Sequence, residues 1–244
     1  MTVLPVLDLL EGVVVRGVAG RRTEYRPLQS KLVETAVPLD VAGALRTEFG
    51  FQRLYIADLD GILHQRPNWA AYQRLVDGGF ELLVDAGITA IEDARRLSGL
   101  GCDVVIGLES SPSPEHVARM TVACEAVTFS LDLQNGRPML APGASGWSQD
   151  PREIARQAIN CGVSRFIVLD LADVGMGSGT RTSSLCQALL AEFPKLNLTC
   201  GGGIRSLDDL QRWQALGAIQ VLIASALHDG RLSAEDLATF TGGQ

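Results

Sequence analysis

Hydrophobic positions in this chain follow two alternating patterns. Short apolar runs rich in Val, Ile and Leu fall at 3–8, 53–58, 80–85, 103–107, 126–132, 165–170, 196–200 and 219–223. Runs of this length bounded by turn residues read as strands buried on both faces. Between them lie stretches with apolar residues at helical spacing, at 39–49, 67–77, 90–98, 114–122, 151–161, 183–193, 206–216 and 233–241. Pro67 is expected to open its helix, as proline does in a first turn. Asp208 and Asp209 occupy the first turn of the helix at 206–216, where they favour the helix dipole. Eight strand–helix units predict an α/β fold with a parallel sheet closed into a (β/α)8 TIM barrel, one domain over residues 1–244. Three connections stand out as polar loops: the arginine-rich 12–31 (Arg16, Arg21, Arg22, Arg26, with Tyr25), the Gly/Pro-rich 136–148 and the glycine-rich 175–180. Loops of such length are more often functional than idle.

The pattern also repeats. Leu7-Asp8-Leu9-Leu10-Glu11-Gly12 returns half a chain later as Leu131-Asp132-Leu133-Gln134-Asn135-Gly136. Tyr55-Ile56-Ala57-Asp58-Leu59 is answered by Ile167-Val168-Leu169-Asp170-Leu171, the segment 84–88 by 200–204, and 104–107 by 221–224. Four strands matching four in the same order predict two duplicated half-barrels. Barrel strand ends converge on the C-terminal rim, where barrel active sites sit. Asp8 on the first strand and Asp132 on the fifth would then face each other across the mouth. A carboxylate at the end of a buried strand is costly unless it has partners or a task.

Charge and cysteine usage narrow the function. The net charge of −7 supplies no basic field to attract a nucleic-acid backbone or an anionic membrane surface. No apolar run approaches the ~18 residues of a membrane span. The five cysteines are scattered, without a Cys-x-x-Cys pair, and read as reduced core residues of a cytoplasmic protein. The three histidines have no metal-ligand spacing. Neither a metal nor a cofactor is expected, and no segment reads as a docking signal for a partner chain. The expected partner is a small phosphorylated molecule. Gly202 and Gly203 precede a helix, so their backbone can approach an anion at its N-terminus. Ala224 and Ser225 follow the last strand, and Gly177 lies in the glycine-rich loop; all five are candidate phosphate-binding positions, since barrel phosphate sites are often built after strands seven and eight. Trp147 could stack on a substrate ring.

These residues resemble a known family. Pro5-Val6-Leu7-Asp8-Leu9 with Gly12 and Arg16, Ala57-Asp58-Leu59-Asp60-Gly61, Leu131-Asp132, Gly146-Trp147 and Gly201-Gly202-Gly203-Ile204-Arg205-Ser206 are similar to the ProFAR isomerase and imidazole glycerol phosphate synthase barrels of histidine biosynthesis. The resemblance covers essentially the whole chain. It implies an Amadori rearrangement of an aminoaldose to an aminoketose, with Asp8 as general base and Asp132 as general acid. Two carboxylates in different surroundings can hold opposite protonation states and divide that work.

The first half departs from the family pattern. Asp85-Ala86-Gly87-Ile88-Thr89 stands where a second Gly-Gly-Gly-Ile-Arg is expected, and Gly107-Leu108-Glu109 where small residues are. Ala172-Asp173-Val174-Gly175 replaces an expected Arg-Asp-Gly-Thr. Carboxylates beside a phosphate repel it, so Asp85 and Glu109 suit an amine, a ring N–H or hydroxyls. With them, Arg16, Asp58, Trp147 and Asp170 are assigned to substrate binding. The loop at 20–28, with Ser30 and Leu32, resembles a paralogue of the isomerase found in methanogens and methylotrophs, organisms that make tetrahydromethanopterin. The expectation is therefore a sugar-phosphate isomerase acting on a ribose 5-phosphate conjugate with one phosphate. Its alternatives are a ProFAR isomerase, a synthase-like cyclase with a glutaminase partner, and a non-catalytic binding or assembly paralogue.

Overall fold

A computed structural model describes residues 1–124, 126–176 and 181–240. Its strands are β1 (Thr2–Leu10), β2 (Val13–Arg16), β3 (Arg26–Pro27), β4 (Arg53–Asp58), β5 (Glu81–Asp85), β6 (Asp103–Gly107), β7 (Val127–Gln134), β8 (Arg137–Pro138), β9 (Arg165–Asp170), β10 (Asn197–Gly201) and β11 (Gln220–Ile223). Eight of them pair in parallel in the order β1, β4, β5, β6, β7, β9, β10, β11, and β11 returns to β1 through Val3 against Val221. This is the (β/α)8 barrel expected from the alternation. Leu4, Tyr55, Leu83, Val105, Ile167 and Leu222 fill its interior, one side chain from each of six strands. A larger apolar layer lies between the sheet and the surrounding helices.

The duplication has a structural counterpart. β1 runs on past the barrel into a hairpin with β2, and β7 does the same with β8. Glu11-Gly12 and Asn135-Gly136 make the two turns, all four residues at positive φ (52°, 77°, 53° and 75°). Paired left-handed residues give the turn whose twist matches antiparallel strands. The hairpins carry β1 and β7 beyond their neighbours, so Asp8 and Asp132 sit two residues inside their strand ends rather than at them.

The helices are α1 (Pro38–Phe49), α2 (Leu59–His64), α3 (Trp69–Asp77), α4 (Ile91–Gly99), α5 (Pro114–Ala123), α6 (Pro151–Asn160), α7 (Ser183–Glu192), α8 (Leu207–Ala215), α9 (Ser225–His228) and α10 (Ala234–Leu237). Three details depart from the sequence expectation. Pro67 does not open a helix: the N–H of Asn68 donates to Asp58 Oδ2 at 2.6 Å, which holds Pro67 in the turn before α3. The closing helix is a single turn, with a Ser233–Asp236 capping box at its start. The loop at 12–31 is partly ordered by β2, a 3-10 turn at Arg22–Glu24, and β3. Among the described residues no helix is long and apolar enough to cross a membrane.

Candidate functional site

β1 and β7 are four places apart in a ring of eight strands, so Asp8 and Asp132 face one another across the C-terminal mouth. Both line one cavity, together with Asp85, Glu109, Arg22 and Tyr25 on one side and Gly202, Gly203, Ala224 and Ser225 on the other. The cavity therefore has an acidic end, from Asp85 and Glu109 of the first half with Asp132 of β7, and a backbone-lined end, from the loops after β10 and β11.

The later end is built of glycine for a reason. Gly202 and Gly203 have φ of +86° and +78°, and a Cβ on Gly202 would stand 3.0 Å from the Asp170 carbonyl oxygen. Such a backbone lets a ligand approach it closely. Beside it, Arg231 Nη2 donates to Ser225 Oγ at 2.9 Å and to Asp229 Oδ2 at 3.1 Å. Arg231 was not among the residues singled out by the sequence; only its spacing from Ser225 hints at it. Gly177 lies outside the described residues.

At the acidic end, Asp132 is 4% exposed. Its Oδ1 accepts the Ser130 hydroxyl at 2.6 Å, and its Oδ2 is buried with no hydrogen-bond partner among the described residues. Burial above all, then the charges of Glu109 and Asp85, hold the Asp132 carboxyl well above the usual carboxylate range. Asp85, 3% exposed, accepts one hydrogen bond, from the Gly87 N–H at 3.1 Å. Burial first, then Glu109, pushes it up to about 7. Asp8 is partly open to the cavity; desolvation raises it to about 7 against the opposing pull of Arg22. Two carboxyls with raised proton affinity, Asp8 partly open to the cavity and Asp132 closed off, are the pairing that acid–base chemistry at neutral pH needs.

Arg22 reaches over the mouth from the 3-10 turn and binds Glu109, with Nη2 2.6 and 2.7 Å from its two carboxylate oxygens. The arginine-rich loop was legible as functional, but which arginine enters the cavity depends on how that turn folds.

Four assigned substrate contacts lie elsewhere. Asp58 is fully buried and accepts from the N–H groups of Asp60, Gly61 and Asn68, the Asn68 side chain and the Tyr72 hydroxyl. It caps α2 and ties that helix to α3. Asp170, also fully buried, accepts from the N–H groups of Asn135, Gly136 and Ala172, and so fastens the β7–β8 turn. Trp147 packs on Phe129 with ring centroids 5.5 Å apart and donates its indole N–H to the Ser111 carbonyl at 3.1 Å. Arg16 is held by both oxygens of Asp229 at 2.7 Å and borders a smaller recess with Asp8 and Ser225. Among the described residues, no group of three or more His, Cys, Asp or Glu could hold a metal ion.

The raised carboxyl of Asp85 makes stability depend on pH. Unfolded, the group returns to its ordinary 3.8; folded, it titrates at about 7. Between those values the native chain holds a proton that the unfolded chain has lost. Its contribution is therefore whole below about pH 4 and is lost as pH rises through 7. We expect urea unfolding to show Asp85→Asn gaining on the parent chain by on the order of 3 kcal/mol between pH 4 and pH 8. A stability difference that stays constant over that range would contradict the assignment.

Comparison with known proteins agrees with this frame. The family model described as histidine biosynthesis protein matches residues 2–233. A relative from Halobacterium salinarum is 28% identical over 239 residues, covering 96% of this chain and 95% of its own. One from Lactiplantibacillus plantarum is 30% identical over 250 residues, covering 98% and 99%. Both are named as isomerases of an imidazole-4-carboxamide carrying two phosphoribosyl groups, the compound abbreviated ProFAR. An uncharacterised protein of Methanocaldococcus jannaschii is 29% identical over 244 residues, with 97% of each chain covered.

Proposed function

We propose that this chain, which belongs to the histidine biosynthesis protein family, is an isomerase that converts a phosphoribosyl amine from its aldose to its ketose form. One observation carries the reading: Asp8 and Asp132 line a single cavity from opposite strands, beside a glycine-built edge suited to a phosphate. In this reading the phosphate rests on Gly202, Gly203, Ala224 and Ser225, which places the sugar between the two aspartates. Asp132, holding its proton, gives it to the ring oxygen and opens the furanose. Asp8, as carboxylate, takes the proton from C2. The resulting enol returns a proton to C1, so C2 is oxidised and C1 reduced within one molecule. Each proton transfer of this kind is worth about a hundredfold to ten-thousandfold in rate.

Two substrates fit a site that opens a ribofuranose ring, and the first also carries the C1 nitrogen that the aldose-to-ketose step requires. The names of the relatives favour the two-phosphate ProFAR. The acidic end favours a conjugate with one phosphate: a second phosphate would lie against Asp85, Glu109 and Asp132, with Arg22 the cation at hand. An aryl ribofuranosyl 5-phosphate of the kind that leads to tetrahydromethanopterin has the required single phosphate. The test is an assay of the purified chain with each compound, alongside rescue of a histidine auxotroph lacking the isomerase. Turnover of ProFAR with rescue selects the first substrate, and turnover of the aryl compound alone selects the second. Failure to turn over either, with the fold intact, removes the isomerase reading.

A further inference from the structure

The acidic end contains a juxtaposition that the proton transfers alone do not require. Gly107 ends β6 between β5, which carries Asp85, and β7, which carries Asp132. With no side chain at 107, both carboxyls lean over it: a Cβ there would meet Asp85 Oδ2 at 3.1 Å and Asp132 Oδ2 at 3.3 Å. Asp132 Oδ2 is buried and unpartnered among the described residues, and neither carboxyl has a cation in contact. Glu109, the third acid here, differs because Arg22 sits on both its oxygens. Two buried carboxyls sharing one site do not readily both ionise, so the charge of one holds the proton on the other to a higher pH than burial alone would.

We propose that Asp85 and Asp132 work as one proton-holding pair over Gly107, in which Asp85 is a positioning residue that keeps Asp132 protonated as the acid. The inference rests on the isomerase reading for its purpose, but not for its physics. The groups that face the pair are Ser130 on β7, Tyr55 and Asp58 on β4, the Gly87 N–H after β5, Glu109 after β6, Arg22 from the first loop, and Asp8 across the mouth. Three groups oppose retention of the proton: the Ser130 hydroxyl on Asp132, the Gly87 N–H on Asp85, and the charge of Arg22, which is engaged by Glu109. Burial and the neighbouring carboxylates raise both members, in keeping with a shared proton. The pair also gives Gly107 a role: any side chain there would push the two carboxyls apart.

The test is infrared titration of the unliganded protein, following the absorption of protonated carboxyl groups, in an Asp8→Asn background that removes the third raised acid. The pair predicts a protonated carboxyl that persists above neutral pH and is lost in Asp132→Asn, where only the Asp85 titration at about 7 or below remains. In Asp85→Asn the remaining signal should titrate lower by about one pH unit or more, and in the Asp8-containing enzyme the alkaline limb of kcat should move down with it. Asp85→Ser, which removes the charge with a smaller side chain, should shift the signal in the same direction, and melting curves establish that each variant is folded. An Asp132 titration unmoved by both substitutions overturns the pair. Because the titration needs no substrate, that result leaves the isomerase reading standing, and a shifted titration in a protein that turns over nothing removes the isomerase reading alone.

Discussion

Asp8→Asn and Asp132→Asn should each lower turnover by a factor of about a hundred to ten thousand, while the melting temperature does not fall. The two losses have different origins. Asp8 stands near Arg22, whose charge favours its carboxylate form, so its amide removes the base that takes the C2 proton. Asp132 is buried with one oxygen unpartnered, so its amide removes the proton that opens the ring. Asn keeps the shape of Asp and can still accept the Ser130 hydroxyl, so the barrel has no reason to open. Steady-state kinetics with matched melting curves check this. Full turnover in either variant would mean that the carboxyl in question is not part of the chemistry.

Asp58→Ala should do the reverse and strike the fold. Its fully buried carboxylate accepts bonds from two turns of backbone, the Asn68 side chain and Tyr72, and truncation leaves those donors around a void. Losing an acceptor shared by that many buried donors costs roughly 3–5 kcal/mol. For a chain of this size that is a fall in melting temperature of about 10 °C. KM of the folded fraction should stay at the parent value. A raised KM with unchanged melting would return Asp58 to the substrate-binding residues.

The contrast between these two aspartate pairs shows how far the sequence can be read. Alternation of apolar runs and helical stretches was enough for the barrel, because each two-faced strand must be covered by a helix. The duplication was enough to set Asp8 opposite Asp132. At the level of residues, though, Asp58 and Asp170 looked the same: aspartates closing buried strands, repeated between the halves. What separates them is position relative to the strand end. Asp58 and Asp170 are the last residues of β4 and β9 and turn back to cap neighbouring loops, while the hairpins prolong β1 and β7 past Asp8 and Asp132. The Glu-Gly and Asn-Gly pairs that make those hairpins stand in the sequence, but their consequence for the side chains appears only once the strands are paired. A loop tryptophan carries no sign of the Phe129 and Ser111 contacts that bury Trp147. Arg22 could not be told from Arg21 and Arg26, since only the 3-10 turn sends it to Glu109.

One measurement bears most directly on the sharing of a single sugar by Asp8 and Asp132: a crystal structure of the Asp132→Asn variant with the compound that turns over in the assay. The account predicts a sugar spanning the mouth, in contact with Asp8 on one side and position 132 on the other, with its phosphate on Gly202, Gly203 and Ser225. A sugar that reaches only one of the two positions, with its phosphate away from that glycine edge, would contradict it.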